Sequence, residues 1–283
     1  MDTGAMLTVG APAEEGIHFP LHLIVPTRDS TSLLPRLVHS LKGQTVHDWR
    51  VTFIDGSNGA QHQAWLDRLC HEDGRFQWRR QSPEQPGIFA AMNEGFALAA
   101  PSDWLLFWGS DDWAAAPDVL ERLRGCLESC SQQGAPPDLL VCRGRYYRLE
   151  EGSRPRPIRS TAFHWRHSYR RSLLLGSTPP HQATLIGPGA RGRLDRYAEG
   201  FGLSADLDYF LQLSLQPGLS LCCSDLELVH MGAGGVSGQQ TRRRLAEVRR
   251  AYRRAYGTLW ILPFVLRYLQ KISERFGMGA SQP

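Results

Sequence analysis

Residues 104–113 read WLLFWGSDDW, and this stretch decides the fold class. Five consecutive apolar residues, Trp104 to Trp108, have the length and character of a strand buried on both faces. Gly109, Ser110 and the adjacent carboxylates Asp111 and Asp112 stand directly beyond it, and Val119, Leu120, Leu123 and Leu127 then recur at helical spacing. The unit is strand, polar turn, helix. Toward the N-terminus it occurs three more times. Residues 21–25 form an aliphatic run closed by Pro26 and followed by Leu33, Leu34, Leu37, Val38 and Leu41. Residues 51–54 end at Asp55-Gly56-Ser57-Asn58 and lead to Trp65, Leu66, Leu69 and Cys70, and residues 76–79 precede Ile88, Ala91, Met92, Gly95 and Phe96. Four successive strand–helix units predict a parallel sheet covered on both faces and joined by right-handed crossovers.

The second half is less regular. Residues 139–142 and 146–149 read as strands, 152–157 as an exposed turn and 183–186 as another short strand. A helix starts near Ser204 with Leu207, Phe210, Leu211 and Leu215 on one stripe; residues 219–222 return to strand and 232–238 form a glycine-rich loop. From Thr241 two helices are expected, separated near Gly257. A chain of 283 residues with 42% hydrophobic residues can bury a large core, which excludes a disordered chain and favours one main domain with an appendage. The boundaries expected are a tail at 1–19, a main domain at 20–240 with halves 20–130 and 131–240, and basic helices at 241–283.

Charge is unevenly placed. Of the net +4, the segment from Thr241 onward carries +8 (ten basic residues, with Glu247 and Glu274 acidic), which leaves −4 for the first 240 residues. A basic tail on an acidic body gives no support to nucleic acid as a partner. Seven arginines between Arg242 and Arg254, interleaved with Leu245, Val248 and Tyr252 and followed by Trp260, Ile261, Leu262, Phe264, Val265 and Leu266, suit an anionic membrane surface. They equally suit a solvated helix packed on the main domain. The apolar window at 259–269 is about half of the ~20 residues that a membrane span requires. Cys70, Cys126, Cys130, Cys142, Cys222 and Cys223 show no C-x-x-C spacing and are expected as thiols of a reducing compartment. The N-terminus lacks a signal-peptide pattern, so a cytoplasmic location is expected.

Ligands of open parallel sheets bind beyond the carboxyl ends of the strands. Thr27, Arg28 and Asp29 follow the first strand, Asp55 the second, and Asp111 and Asp112 the fourth. A single aspartate after a strand is often a turn or capping residue. Two adjacent carboxylates repel each other and call for a positive partner, for which a divalent cation is the economical choice. No G-x-x-x-x-G-K-[ST] occurs and no G-x-G-x-x-G follows the first strand, which disfavours an ATPase or a dinucleotide dehydrogenase.

Taken in order, IVPTRDS (24–30), VTFIDGSNG (51–59), GIFAAMNEG (87–95), LLFWGSDDW (105–113), HQATLIG (181–187), SADLDYFLQL (204–213) and HMGAGGVS (230–237) resemble the inverting family-2 glycosyltransferases of the bacterial cell-surface polysaccharide type. The resemblance implies the GT-A fold: α/β, with a Rossmann-like, mostly parallel central sheet, helices on both faces and here a C-terminal helical appendage. It also implies a metal-dependent inverting transfer, with Mg²⁺ or Mn²⁺, from a nucleotide-sugar donor to a hydroxyl of a glycan or lipid-linked acceptor, in cell-surface polysaccharide or lipopolysaccharide synthesis. Residue by residue, Thr27 and Asp55 match positions that hold base and ribose. Asp111 and Asp112 match the acidic metal motif, with Asp112 as the metal ligand and Asp111 nearer the ribose. Asp206 matches the catalytic base, and His230 a residue approaching the diphosphate or the metal. His181 and Gln182 match a pair that touches acceptor or diphosphate, and Trp113 offers a flat face to a sugar. Ala90, Gln85-Pro86 and Ser57-Asn58-Gly59-Ala60 depart from the family's pattern, so the nucleotide is not assigned.

The bland readings stay beside these. Asp206, like Asp208, can cap its helix behind Ser204; His181 can be a satisfied structural histidine; Trp113 can be core; and Asn93 can hydrogen-bond within the core. A noncatalytic sugar-nucleotide sensor would have no use for two acidic centres, and a nucleotidyltransferase would need a basic loop for its triphosphate, which the sequence lacks.

Overall fold

The computed structural model describes residues 18–132, 134–150, 153–161, 163–166, 168–233 and 241–275, with side chains to 270. Its core is one sheet. Strands β1 (Leu21–Thr27), β2 (Trp49–Asp55), β3 (Phe76–Arg80) and β4 (Trp104–Phe107) lie parallel in the order β3-β2-β1-β4, as expected, with Leu21 opposite both Trp49 and Trp104. In β1, Leu21, Leu23 and Val25 pack into one core and Ile24 into the other, so both faces are covered. Helices α1 (Leu34–Lys42), α2 (Ala60–Glu72) and α4 (Val119–Ser131) cover the first face through the periodic residues quoted above. On the second face lie α3 (Ile88–Leu98), α5 (Tyr169–Leu174), α6 (Pro188–Arg193), α7 (Ala205–Leu213) and α8 (Thr241–Tyr256). Gly95 of α3 sits against Ile24, an approach that leaves no room for a Cβ. After a 3₁₀ turn at Gly257–Trp260, α9 (Ile261–Arg275) is the last element among the described residues.

Beyond β4 the sheet turns mixed. Strand β8 (Thr184–Ile186) pairs antiparallel with β4 and with β6 (Leu139–Arg148); β6 runs parallel to β9 (Leu221–Ala233); and the two-residue β5 (Trp113–Ala114) closes antiparallel on β9, with Trp113 opposite His230. The link from β4 to β5 holds the Asp111–Asp112 pair. It is short, yet it joins strands at separated positions of the sheet, so the sheet must curl around that turn.

Several expectations change here. The strands read at 139–142 and 146–149 are one strand, β6, whose register against β9 shifts around Arg143. The turn read at 152–157 gives way to β7 (Arg156–Ser160), exposed throughout and paired with β6. The strand read at 219–222 opens a 13-residue strand that carries His230 inside the sheet. Of the glycine-rich loop, Gly232 and Ala233 belong to β9, and 234–238 lie outside the described residues. Cys130 of α4 is disulfide-bonded to Cys222 of β9, which corrects the expectation of six thiols. A pairing across 92 residues depends on α4 lying on β9 and leaves no mark in local spacing. Among the described residues no helix is long and apolar enough to cross a membrane.

Candidate active site

The loops after β1 and β2 are knitted into one polar floor. Asp55 is fully buried at the end of β2; its Oδ1 accepts the Ser57 N–H (3.0 Å) and hydroxyl (2.5 Å), and His62 Nε2 lies 3.4 Å away. The same His62 Nε2 is 3.1 Å from Thr27 Oγ1, while Nδ1 is 2.8 Å from Thr31 Oγ1. Asp29, whose φ of +50° lies in the left-handed region, donates its N–H to Ser57 Oγ at 2.7 Å and so ties the first loop to the second. Asp55 Oδ2 is buried and has no hydrogen-bond partner among the described residues. An orphaned carboxylate oxygen of this kind is costly unless a donor arrives. His62 carries no signal in the sequence: it stands between Gln61 and Gln63 at the start of α2 without a motif, and only the fold brings it to Thr27 and Asp55.

At the end of β4 the two carboxylates share a tight turn. Asp112 is 2% exposed, and its Oδ2 accepts the Gly109 N–H at 2.6 Å. Burial, and then the charge of Asp111, push its carboxyl well above the usual range; burial also raises Asp111. No basic side chain is among the groups acting on either one. Asp111 is the more exposed of the two and lies against Gly232 of β9, where a Cβ would collide with its carboxylate. The division implied by the resemblance, metal to Asp112 and ribose to Asp111, therefore does not follow the exposures. Carboxylate oxygens under uncompensated repulsion fit a hard divalent cation. Among the described residues no three His, Cys, Asp or Glu side chains form a metal-binding group, so further ligands would have to come from diphosphate oxygens.

Asp206 lies in the first turn of α7, half-buried. Ser204 occupies the N-cap position but makes no side-chain cap bond. The carboxylate of Glu247, from α8, instead accepts the N–H groups of Gly202 (3.0 Å), Leu203 (2.7 Å) and Ser204 (3.0 Å). Asp208, two residues on and facing the other side of α7, is buried against Arg254 Nη1 and serves structure. The charges of both acidic centres reach Tyr146 of β6: burial raises its phenol most, Arg159 opposes, and Asp112, Asp206 and Asp111 all raise it further.

Remaining candidates divide by environment. His181 is buried, bonded through Nε2 to Tyr197 Oη at 2.6 Å and stacked on Phe107, and burial lowers its pKa while the charge of Asp206 opposes. Gln182 accepts the Trp108 indole N–H on its backbone carbonyl at 2.9 Å. Asn93 exchanges two hydrogen bonds with the Tyr197 backbone, the core role that its apolar neighbours suggested. Trp113, Tyr147 and His230 form an aromatic cluster with centroids 4.6–5.4 Å apart, and the Arg36 guanidinium lies 5.0 Å over Trp113. His230 Nε2 is 2.8 Å from Glu227 Oε1 and 3.5 Å from Tyr147 Oη, leaving Nδ1 as its other nitrogen. Glu227 is gripped by Arg145, which holds its carboxyl below the usual range.

A family model described as glycosyl transferase family 2 matches residues 22–195. The chain is 26% identical over 198 residues to a PGL/p-HBAD biosynthesis glycosyltransferase of Mycobacterium tuberculosis, covering 70% of each chain. It is 30% identical over 185 residues to an uncharacterized glycosyltransferase of the same species, covering 64% of each. Among solved structures, S. aureus TarS superposes with a TM-score of 0.63 at 14% identity, covering 89% of this chain and 44% of that one, so the chain spans less than half the length of TarS. TarS 1–349 in complex with UDP-GlcNAc gives 0.62 at 13% identity, covering 93% and 76%. The mannosyltransferase PcManGT from Pyrobaculum calidifontis, in complex with GDP-Man and Mn²⁺, gives 0.58 at 11% identity with the same coverage.

Proposed function

The chain belongs to glycosyl transferase family 2 and is a glycosyltransferase of the GT-A fold, and on that premise we propose that it moves a sugar with inversion from a nucleoside diphosphate donor to a hydroxyl acceptor. One observation supports this reading most: the charges of Asp112, Asp206 and Asp111 all reach the same phenol, Tyr146, which puts both acidic centres within electrostatic range of one side chain. Thr27 and Asp55 receive the nucleoside, and the unpaired Asp55 Oδ2 awaits an N–H of the base or a ribose hydroxyl. A divalent cation, Mg²⁺ or Mn²⁺, held by the Asp111–Asp112 pair with Asp111 as the more accessible carboxylate, supplies positive charge to the diphosphate. The acceptor oxygen attacks the anomeric carbon, its proton passes to the Asp206 carboxylate, and the bond from that carbon to the diphosphate breaks with its electron pair on the leaving oxygen. Base assistance of this kind contributes about 10²–10⁴-fold. Placement in the first turn of α7 keeps Asp206 in the favourable field of the helix N-terminus. Trp113, with Tyr147 and His230, lines the end of β9 near the pair and offers the sugar an aromatic wall; His181 and Gln182 support the base side. A glycan or lipid-linked hydroxyl in cell-surface polysaccharide or lipopolysaccharide assembly is the acceptor class proposed.

A thermal-shift series with UDP, GDP and CDP, each with and without Mn²⁺, tests the donor half of the proposal. One nucleotide should raise Tm, Mn²⁺ should enlarge the rise, and Asp111→Asn should abolish the enlargement. A Tm rise indifferent to Mn²⁺ and to Asp111→Asn would reject the pair as the diphosphate anchor.

A further inference from the structure

Away from the transfer site, the two C-terminal helices present a large apolar surface. Leu259, Ile261, Leu262, Val265 and Leu269 are 72, 56, 57, 45 and 56% exposed. On α9 the last four fall within roughly 100° of the helix circumference. The rest of this segment is taken up by packing: Trp260 of the preceding turn and Phe264 and Tyr268 of α9 join the second core, and Arg267 Nη1 donates to Thr178 Oγ1 at 2.7 Å. The ridge is therefore what remains exposed after α9 has docked. Leu245 of α8, 45% exposed, extends it across a groove of about 470 Å³ between the two helices. Single exposed leucines need no explanation, but a continuous apolar stripe of this extent marks an interaction surface.

Six of the seven arginines of α8 fall into two groups, and Arg244 lines the groove. Arg250 Nη1 donates to the Gly200 carbonyl with its guanidinium over Phe201, and Arg254 binds Asp208, so these two hold α8 on the main domain, while Arg243 pairs with Glu247 one turn along the same helix. Arg242, Arg249 and Arg253, spaced seven and four residues apart, share another side of the helix and are exposed. The Arg249 guanidinium lies 5.1 Å over Trp260, which sets this stripe beside the turn where the apolar ridge begins.

We propose that this ridge and arginine stripe dock the protein on an anionic lipid bilayer, with the aliphatic side chains at the headgroup–acyl boundary and Arg242, Arg249 and Arg253 on the lipid phosphates. A second copy of the chain is the poorer occupant, because pairing through these helices would oppose two segments of charge +8. An anionic surface neutralises that charge. The inference does not depend on the transfer chemistry, although it would bring a glycosyltransferase close to a lipid-linked acceptor.

Flotation of the full chain with phosphatidylcholine vesicles, and with vesicles containing about 30% phosphatidylglycerol, tests the proposal at low and high salt. The wild type should float with the anionic vesicles only and be released by salt. Leu262→Asp/Val265→Asp should lower the bound fraction at least about tenfold, and so should Arg242→Glu/Arg253→Glu. All four positions are solvent-exposed, so both variants should keep the wild-type Tm and the nucleotide-induced Tm rise, which separates failure here from failure of the transfer reading. Flotation of both variants equal to wild type, or no flotation of the wild type, would overturn the proposal. So would a wild-type dimer in light scattering that Leu262→Asp/Val265→Asp dissociates without any lipid binding.

Discussion

His22 and the Asp111–Asp112 pair show how single residues here are set by burial. At the opposite end of β1 from the site, His22 is 2% exposed, with Nε2 2.8 Å from Thr52 Oγ1 and Nδ1 3.3 Å from Asp103. Burial, and then the nearby charge of Arg50, lower its pKa from 6.5 to about 4, against the pull of Asp103. Above pH 6.5 the ring is neutral folded and unfolded, and its contribution is intact. As the pH falls from 6.5 toward 4, only the unfolded chain takes up the proton, so stability is lost at up to about 1.4 kcal/mol per unit. Urea unfolding of wild type and His22→Gln at pH values across that window should show their stability difference shrinking as pH falls; parallel curves would reject the assignment. Sequence reading saw His22 only as one position of an aliphatic run. Asp111 and Asp112 stand out in the sequence, because two adjacent carboxylates follow an apolar strand. Gly232, whose bare Cα lets Asp111 lie against β9, does not, since that approach exists only after the sheet has curled.

Elements were legible where one period governs them. The four strand–helix units at the N-terminal side emerge as read, since β1, β2 and β4 are buried on both faces, β3 is anchored by Phe76 at the edge, and each helix carries one stripe. β9 was read short because Ser224, Asp225 and Glu227 interrupt its apolar run, and their polarity reflects a solvent-facing side rather than a turn. Helix α8 read as a basic amphipathic helix, and the structure gives it a second task that its sequence hides. Its one acidic residue, Glu247, is 7% exposed and accepts three N–H groups at the entrance of α7, where Ser204 makes no cap bond of its own. If Asp206 is the base, as proposed, Glu247 is a positioning residue that fixes the segment leading into its helix. Glu247→Gln removes the charge that strengthens these bonds and should cost about 1–3 kcal/mol of stability. It should also lower kcat while leaving KM for the donor near wild type, with Glu247→Asp recovering part of kcat. A lower Tm with unchanged kcat would make the contact purely structural.

Across the whole molecule, the sheet's change from parallel to mixed brings the charges of Asp111, Asp112 and Asp206 within reach of one phenol, Tyr146. The chain leaves β4 through the Asp111–Asp112 turn and reaches the far edge as β5, while β6 runs between the halves and carries Tyr146 to the region shared with α7. The order of motifs singles out both acidic segments, but the pairing of β6, β8 and β9 across long separations, which sets where they lie, is not encoded in local periodicity. The central claim is a division of labour across one pocket, with the donor's diphosphate at the β4 turn and the acceptor's proton at Asp206. Its most direct test is to measure donor Kd and kcat for Asp206→Asn on one preparation. The account predicts a Kd within about twofold of wild type and a kcat lower by about 10²–10⁴-fold; unchanged turnover, or donor binding lost together with kcat, would contradict it.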